Sequence, residues 1–280
     1  MKEELTEQLI QLAFAEDIGD GDHTTLSCIP ESATGRAKLL IKEPGVIAGV
    51  AVAEKVFTTF DPNLKITVFT QDGAEVKPGD IVFTVEGKTR SLLQTERLVL
   101  NIMQRMSGIA TLTRKYAKEL EGYHTKILDT RKTTPGMRML EKEAVKIGGG
   151  ENHRIGLFDM ILLKDNHIDF AGGIKQAITN ARNYLAETGK KLQIEIEVRN
   201  LQELNEVLEM GGIDQIMLDN FDIPQTKEAV KLIDGKYKTE SSGGITFEIL
   251  KNYASCGVDY ISVGALTHSV KSLDMSLKAF

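Results

Sequence analysis

From Tyr123 onward the chain repeats one pattern six times, a short apolar run followed by a helical segment. The runs are KILDTRK (126–132), FDMILLKDN (158–166), QIEIEV (193–198), QIMLDN (215–220), YKTESSG (237–243) and YISVGAL (260–266). A parallel neighbour cannot be reached through a tight turn, so strand-then-helix alternation predicts parallel strands joined by crossover helices. Nearly every run also ends in polar residues: Asp129, Thr130, Arg131 and Lys132; Lys164 and Asp165; Glu197; Asp219 and Asn220; Ser241 and Ser242; then Gly264. In an α/β barrel the C-terminal strand ends share one mouth, and residues far apart in sequence converge there. Six runs fall short of the eight of a closed barrel, so an incomplete barrel of six to seven strands is expected.

The first 120 residues have a different texture. Leu5, Leu9, Leu12 and Ala13 fall at helical spacing and predict an amphipathic opening helix. Between Ala37 and Val85 come β-rich runs broken at Pro44-Gly45, Asp72-Gly73 and Pro78-Gly79. These predict an antiparallel, open α/β sandwich with one helix over residues 51–60. A long helical pattern over residues 90–120, with a break at Ser107-Gly108, leads into the alternating part. The expected domains are 1–108 (α/β sandwich), 109–268 (α/β barrel) and 269–280, a segment returning to the first domain.

Charge narrows the function. The chain has 34 Lys and Arg against 40 Asp and Glu, a formal net charge of −6. Thr130 to His167 reverses that balance, with nine Lys, Arg or His residues against five acids. Cations concentrated against the overall charge predict a pocket for a polyanionic small molecule rather than a nucleic-acid face. The candidates are Arg131, Lys132, Arg138, His153, Arg154 and Lys164. A single Lys or Arg is ordinarily a solvated surface group, but Arg131, Lys132 and Lys164 sit at strand ends. Arginine forks suit carboxylates and phosphates.

Glu197 and Asp219 end neighbouring strands. They are read either as ion-pair partners of the cations or as groups facing Mg²⁺ and a ribose diol. Ser242-Gly243-Gly244 and Gly264-Ala265-Leu266 follow the last two strands, where backbone N–H groups commonly take a phosphate. Walker, GxGxxG, HExxH and GxSxG sequences are absent, which removes support for nucleotide hydrolysis, dinucleotide redox chemistry, zinc proteolysis and serine hydrolysis. No apolar run is long enough to span a membrane, and the N-terminus does not read as a signal peptide, so a cytoplasmic protein is expected. Cys28 and Cys256 are read as packing residues.

EDIGDGDHTT, TERLVLNIMQRMSGIAT, DTRKTTPGMR, KIGGGENHRIGLFDMILLKDNH, IEIEV, IMLDN, ESSGGI and ISVGALTHS occur in order over essentially the whole chain. Together they resemble the quinolinate phosphoribosyltransferases, pentosyltransferases with an N-terminal α/β sandwich and an incomplete α/β barrel. The resemblance implies transfer of a phosphoribosyl group from phosphoribosyl pyrophosphate to quinolinate. CO₂ and pyrophosphate are lost, and nicotinate mononucleotide is formed for NAD synthesis. It implies Mg²⁺ as cofactor and a catalytic set of Lys132, Lys164, Glu197 and Asp219. Arg131, His153, Arg154 and Lys164 match quinolinate-binding positions, with Lys132 beside them and Thr130 in the same binding turn. Glu197 and Asp219 match carboxylates facing the ribose and the metal, in contact or through water. Ser242, Gly243, Gly244, Gly264, Ala265 and Leu266 match phosphate-binding loops. Arg97 matches an arginine that enters a neighbouring subunit's site, implying a homodimer with shared sites, with assembly to hexamers left open. The competing expectations are a paralogue using nicotinate or another acceptor, a Schiff-base aldolase built on Lys164, and a non-catalytic phosphosugar sensor.

Overall fold

The computed structural model describes residues 2–280. The chain opens with α1 (Lys2–Ile18), α2 (His23–Cys28), β1 (Thr34–Ile41), β2 (Gly45–Val46), α3 (Val50–Phe60), β3 (Lys65–Val68), β4 (Glu75–Val76) and β5 (Ile81–Lys88). Next are α4 (Thr89–Glu119), β6 (Lys126–Leu128), α5 (Arg138–Ile147), β7 (Ile161–Leu163), α6 (Asp165–Ala171), α7 (Ile174–Thr188), β8 (Ile194–Val198) and α8 (Leu201–Met210). It closes with β9 (Gln215–Asp219), α9 (Ile223–Ile233), β10 (Lys238–Ser242), α10 (Leu250–Ala254), β11 (Tyr260–Ser262), α11 (Ala265–His268) and β12 (Met275–Ala279). Contacts divide the chain into two units. Unit one runs to Arg114 and takes in Thr133–Gly149 and Ala265–Phe280, and unit two comprises Lys115–Lys132 and Gly150–Gly264. Thr133–Gly149 therefore groups with unit one, although in sequence it falls inside the span 109–268.

In unit one, four antiparallel strands lie in the order β12-β1-β5-β3. Alternation in β1 buries Ala37, Leu39 and Ile41. The C-terminal strand β12 pairs with β1, Leu39 opposite Leu277. Phe57 of α3 meets Phe83 of β5 edge-on, with ring centroids 5.8 Å apart. Two local expectations fail here. In α1 the buried positions are Thr6 and Ile10, while Leu5 and Leu12 are exposed, because the helix turns its 6/10/13 stripe inward rather than its leucine stripe. No break occurs at Ser107-Gly108, and α4 is continuous over 31 residues. The pair is instead a packing point. Ser107 Oγ accepts from the Ala48 amide (2.9 Å) and donates to the Ala48 carbonyl (3.1 Å). A Cβ on Gly108 would lie 2.3 Å from the Lys271 carbonyl oxygen, so glycine admits the C-terminal segment.

In unit two, six parallel strands lie in the order β6-β11-β10-β9-β8-β7, the expected incomplete barrel. Strands consecutive in sequence are neighbours except β6 and β7. The helix between these two, α5, belongs to unit one. Glu151 alone bridges to Leu128 on the free edge of β6. Asparagine and aspartate caps start the outer helices: Asn200 Oδ1 accepts from the Glu203 amide, and Asp222 forms a capping box with Gln225.

Gly108→Ala is expected to destabilise the protein by about 1–3 kcal/mol through overpacking. Urea unfolding reads this directly, and an unchanged midpoint would contradict the packing role.

Candidate active site

All five residues of β8, Ile194–Val198, are buried, yet two of them are glutamates. Side chains alternate across a strand, so Ile194, Ile196 and Val198 share one face while Glu195 and Glu197 share the other. Register extends that second face across the sheet. Glu195 is level with Leu162 and Gln215, Glu197 with Met217, Met217 with Glu240, and Asp219 with Ser242. Lys164, one residue beyond the Leu163–Ile196 pair, falls beside Glu197, and its Nζ donates to Glu197 Oε2 at 2.9 Å. Lys164, Glu197, Asp219 and Ser242 thus stand on one face at the carboxyl ends of four strands.

The polypeptide after β6 supplies the cations. Asp129 is fully buried; its Oδ1 accepts from the His153 amide at 2.9 Å and its Oδ2 from the Asn152 side chain. That carboxylate ties residues 151–153 to the strand end carrying Thr130, Arg131 and Lys132. Thr130 Oγ1 accepts from the Lys132 amide at 3.1 Å, shaping the turn, and Lys132 is exposed. Asp159 accepts from the amides of Ile155 (2.7 Å) and Gly156 (2.9 Å), closing the loop after Arg154.

Arg154 is 7% exposed, and its one side-chain hydrogen bond among the described residues runs from Nη1 to the Met160 carbonyl. Burial first, and then the charge of neighbouring Arg131, lower its pKa from the usual arginine range, with Glu195 and Asp159 opposing. Arg131 has a buried Nε without a hydrogen-bond partner among the described residues. Two guanidiniums brought together with donors to spare are costly in isolation and suit an incoming anion.

His153 behaves differently from the other cations. Its Nε2 lies 2.8 Å from Glu195 Oε2 and 3.5 Å from Glu240 Oε2, while Nδ1 accepts from the Arg154 amide at 2.8 Å. Both ring nitrogens are engaged by the protein. Gln215 Nε2 donates to Glu195 Oε1 (2.7 Å) and Glu240 Oε2 (3.0 Å). Burial, and then the charge of Glu195, push the Glu240 carboxyl well above the ordinary carboxylic-acid range, which favours its protonated form. Sequence reasoning passed over Glu195, Gln215 and Glu240. The period-two pattern of IEIEV and TESS puts Glu195 with Glu197 and Glu240 with Ser242, and was the available signal.

The glycine segments divide. Gly243 follows β10 with φ +98°, and a Cβ there would lie 2.2 Å from Asn220 Oδ1. Asn220 itself has φ 56°, donates its amide to the Ser242 carbonyl and its side-chain amide to Asp219 Oδ2. Ser242, Gly243 and Gly244 therefore form a close-packed turn beside Asp219. Gly148, by contrast, packs the end of α5 against α4, where a Cβ would meet the Ala110 carbonyl at 2.6 Å.

Unit two brings together Thr130, Arg131, Lys132, His153, Arg154, Lys164, Glu197, Asp219, Ser242, Gly243, Gly244 and Gly264. Arg97, Arg138, Ala265 and Leu266 belong to unit one. Arg97 is exposed on α4, one turn from the exposed Leu93; Ala265 and the buried Leu266 open α11. Arg138 Nε donates to Thr133 Oγ1 at 3.0 Å. Cys256 is buried as expected, whereas Cys28 is exposed and does not pack.

Fold and site together define an α/β-barrel enzyme with a cationic mouth fit for a small anion and two carboxylates beside it. Comparison with known proteins refines that class. Residues 22–107 match the quinolinate phosphoribosyl transferase N-terminal domain and residues 109–278 the corresponding C-terminal domain. The chain belongs to the quinolinate phosphoribosyltransferase family. It is 46% identical to quinolinate phosphoribosyltransferase [decarboxylating] 1b of Nicotiana tabacum, covering 96% of this chain and 81% of that protein. It is 44% identical to the probable nicotinate-nucleotide pyrophosphorylase [carboxylating] of Bacillus subtilis, covering 96% and 92%. The solved nicotinate-nucleotide pyrophosphorylase of Francisella tularensis superposes with a TM-score of 0.92 at 40% identity, covering 99% of this chain and 96% of that one.

The network below the mouth has a pH signature. Because its folded pKa is raised, Glu240 releases its proton at higher pH in the folded state than in the unfolded chain, where it does so at about pH 4.3. Folding stability therefore falls as pH rises above that value, until the raised folded pKa is passed. Glu240→Gln keeps an acceptor for Gln215 without the ionisable group. Urea unfolding across the pH range should show the variant gaining on the native protein as pH increases, and parallel curves would contradict the assignment.

Proposed function

We propose that the protein transfers the phosphoribosyl group of phosphoribosyl pyrophosphate to the ring nitrogen of quinolinate. CO₂ and pyrophosphate leave, and nicotinate mononucleotide is formed for NAD synthesis. The observation carrying this reading is the Arg131–Arg154 pair, with the buried Arg131 Nε unpartnered among the described residues, in the unit whose strand ends carry Glu197 and Asp219. Two guanidiniums with Lys132 nearby suit a dicarboxylate better than a monocarboxylate such as nicotinate. Hydrogen bonds to charged groups contribute roughly 1.5–3 kcal/mol each, so the second carboxylate should raise affinity substantially.

Chemically, the protein's part is placement and field. Arg131, Arg154 and Lys132 neutralise the two carboxylates and aim the ring nitrogen at the anomeric carbon. Positive charge that develops on that carbon as its bond to pyrophosphate breaks is stabilised by Glu197 and Asp219. Lys164 holds Glu197 in place through its 2.9 Å ion pair. The Ser242-Gly243-Gly244 turn offers backbone N–H groups to phosphate. Once the ring nitrogen is quaternary, the pyridinium stabilises the electron pair left on the adjacent carbon when CO₂ departs, and a proton from water then forms the C–H bond of the product. No covalent protein nucleophile is needed.

Glu197 and Asp219 each have one oxygen hydrogen-bonded, to Lys164 and to Asn220, and offer hard oxygen donors that fit Mg²⁺. When bound with the donor substrate, Mg²⁺ supplies positive charge to the leaving pyrophosphate. For assembly we propose a homodimer with Arg97 serving the neighbouring site; exposed Leu93, Arg97 and Asn101 recur at four-residue spacing along α4 and support a contact face. No described helix is long and apolar enough to cross a membrane. The cytoplasm is the compartment we assign, on two free cysteines.

Incubation with quinolinate, phosphoribosyl pyrophosphate and Mg²⁺ should yield nicotinate mononucleotide, and nicotinate in a parallel tube should not replace quinolinate; the reverse preference would point to a paralogous activity. Arg131→Ala and Arg154→Ala should each raise the quinolinate KM at least tenfold, the loss of about one charged hydrogen bond. Unchanged KM in both would remove them from the site. Mixing inactive Arg97→Ala with inactive Lys164→Ala should restore part of the activity, and no recovery after demonstrated subunit exchange would exclude Arg97 acting in trans.

A further inference from the structure

Beneath the mouth, Glu195, Gln215 and Glu240 lie inside unit two and have no place in the transfer steps above. Glu195 and Glu240 are both 0% exposed. Burying two acids side by side is unfavourable unless each is hydrogen-bonded, so their arrangement invites an explanation. We propose that Glu195 is a positioning residue for the acceptor: it holds His153 in the neutral Nε2–H form, and His153 in turn fixes the backbone that carries Arg154. The inference deepens the reading of Arg154 as a quinolinate ligand and rests on it.

The hydrogen bonds permit one proton arrangement. Nδ1 of His153 faces the Arg154 amide at 2.8 Å, and an amide only donates, so Nδ1 carries no hydrogen. Nε2 must then bear it and donates to Glu195 Oε2 at 2.8 Å. The two oxygens of Glu195 have separate tasks, since Oε1 accepts from Gln215 at 2.7 Å. Gln215 also donates to Glu240 Oε2, which fixes the amide's orientation and hence that of Glu195. His153 is gripped at both ends, its own amide by Asp129 and its ring by Glu195.

A neutral imidazole also suits what lies beside it. Arg131 and Arg154 already repel one another. An imidazolium would add a third cation and turn an Nδ1–H toward the Arg154 N–H. Keeping His153 neutral lets it hold Arg154 without adding to that repulsion. Beyond its amide, Arg154 has among the described residues one hydrogen-bond anchor, the Met160 carbonyl at 3.3 Å, so the aim of its guanidinium depends on this backbone contact.

His153, Glu195 and Glu240 also place three donor atoms within 4.8 Å of one another, a set of the type that binds a cation. The hydrogen bonds favour the proton network, because a cation there would displace the Nε2 hydrogen and the Gln215 contacts. A cation would also make Nε2 bare, which the spectrum below detects.

The test has two parts. A long-range ¹⁵N–¹H spectrum of the protein without substrate, with His153 assigned by its loss in His153→Asn, should show the neutral Nε2–H tautomer. An imidazolium, an Nδ1–H tautomer or a bare Nε2 would overturn the proposal. This spectrum needs no turnover, so its result stands apart from whether quinolinate is the acceptor. The second part is steady-state kinetics. Glu195→Leu removes the acceptor and should raise the quinolinate KM about tenfold, with the phosphoribosyl pyrophosphate KM within about twofold. Glu195→Gln keeps an oxygen for Nε2–H and should recover most of that loss. Equal damage from Gln and Leu, or a fall in kcat with both KM values unchanged, would overturn the positioning role.

Discussion

Two guanidiniums held next to each other, one of them almost entirely buried, set the terms for this molecule. Like charges do not collect in a partly dry site unless the surrounding structure forces them together, and Arg131 and Arg154 are forced by Asp129. That carboxylate bonds the chain at residues 152 and 153 to the strand end that carries Arg131. Asp159 then closes the loop beyond Arg154. The strain of cation on cation is offset by these neutral and anionic anchors, and the surplus donors remain available to a dianion.

The same economy runs down the inside of the sheet. One face of the sheet is mostly apolar, with Ile196, Ile216, Leu218 and Ile261, while the other carries acids, amides and hydroxyls in layers. Near the mouth, Glu197 is paired with Lys164 and placed to meet a developing positive charge. One layer deeper, Glu195 and Glu240 share His153 and Gln215, and burial and its neighbour's charge shift Glu240 toward its protonated form. Two chemically identical side chains thus serve different ends according to depth.

Much of this was legible in the sequence, for a physical reason. Parallel strands with crossover helices leave a strong alternating pattern, and polar residues at strand ends mark the mouth, so six strands and Lys164, Glu197, Asp219 and Ser242 could be placed before any coordinates. What stayed hidden depended on long-range packing. A Ser-Gly pair in a helix reads as a break, and only the approach of Lys271 shows that Gly108 preserves the helix. In α1 the leucine stripe suggested burial, yet Leu5 and Leu12 face outward. The assignment of α5 to unit one leaves no mark in local composition. His153 read as one more cation because sequence shows residue type and not which hydrogen it carries.

Calorimetric titration of the protein with quinolinate alone, beside nicotinate under the same conditions, bears most directly on the dicarboxylate site. Quinolinate should bind at least tenfold more tightly, since only it can engage a second cationic group, and its affinity should weaken as salt is raised. Equal affinity for the two acids, unaffected by salt, would contradict the central role given to Arg131 and Arg154.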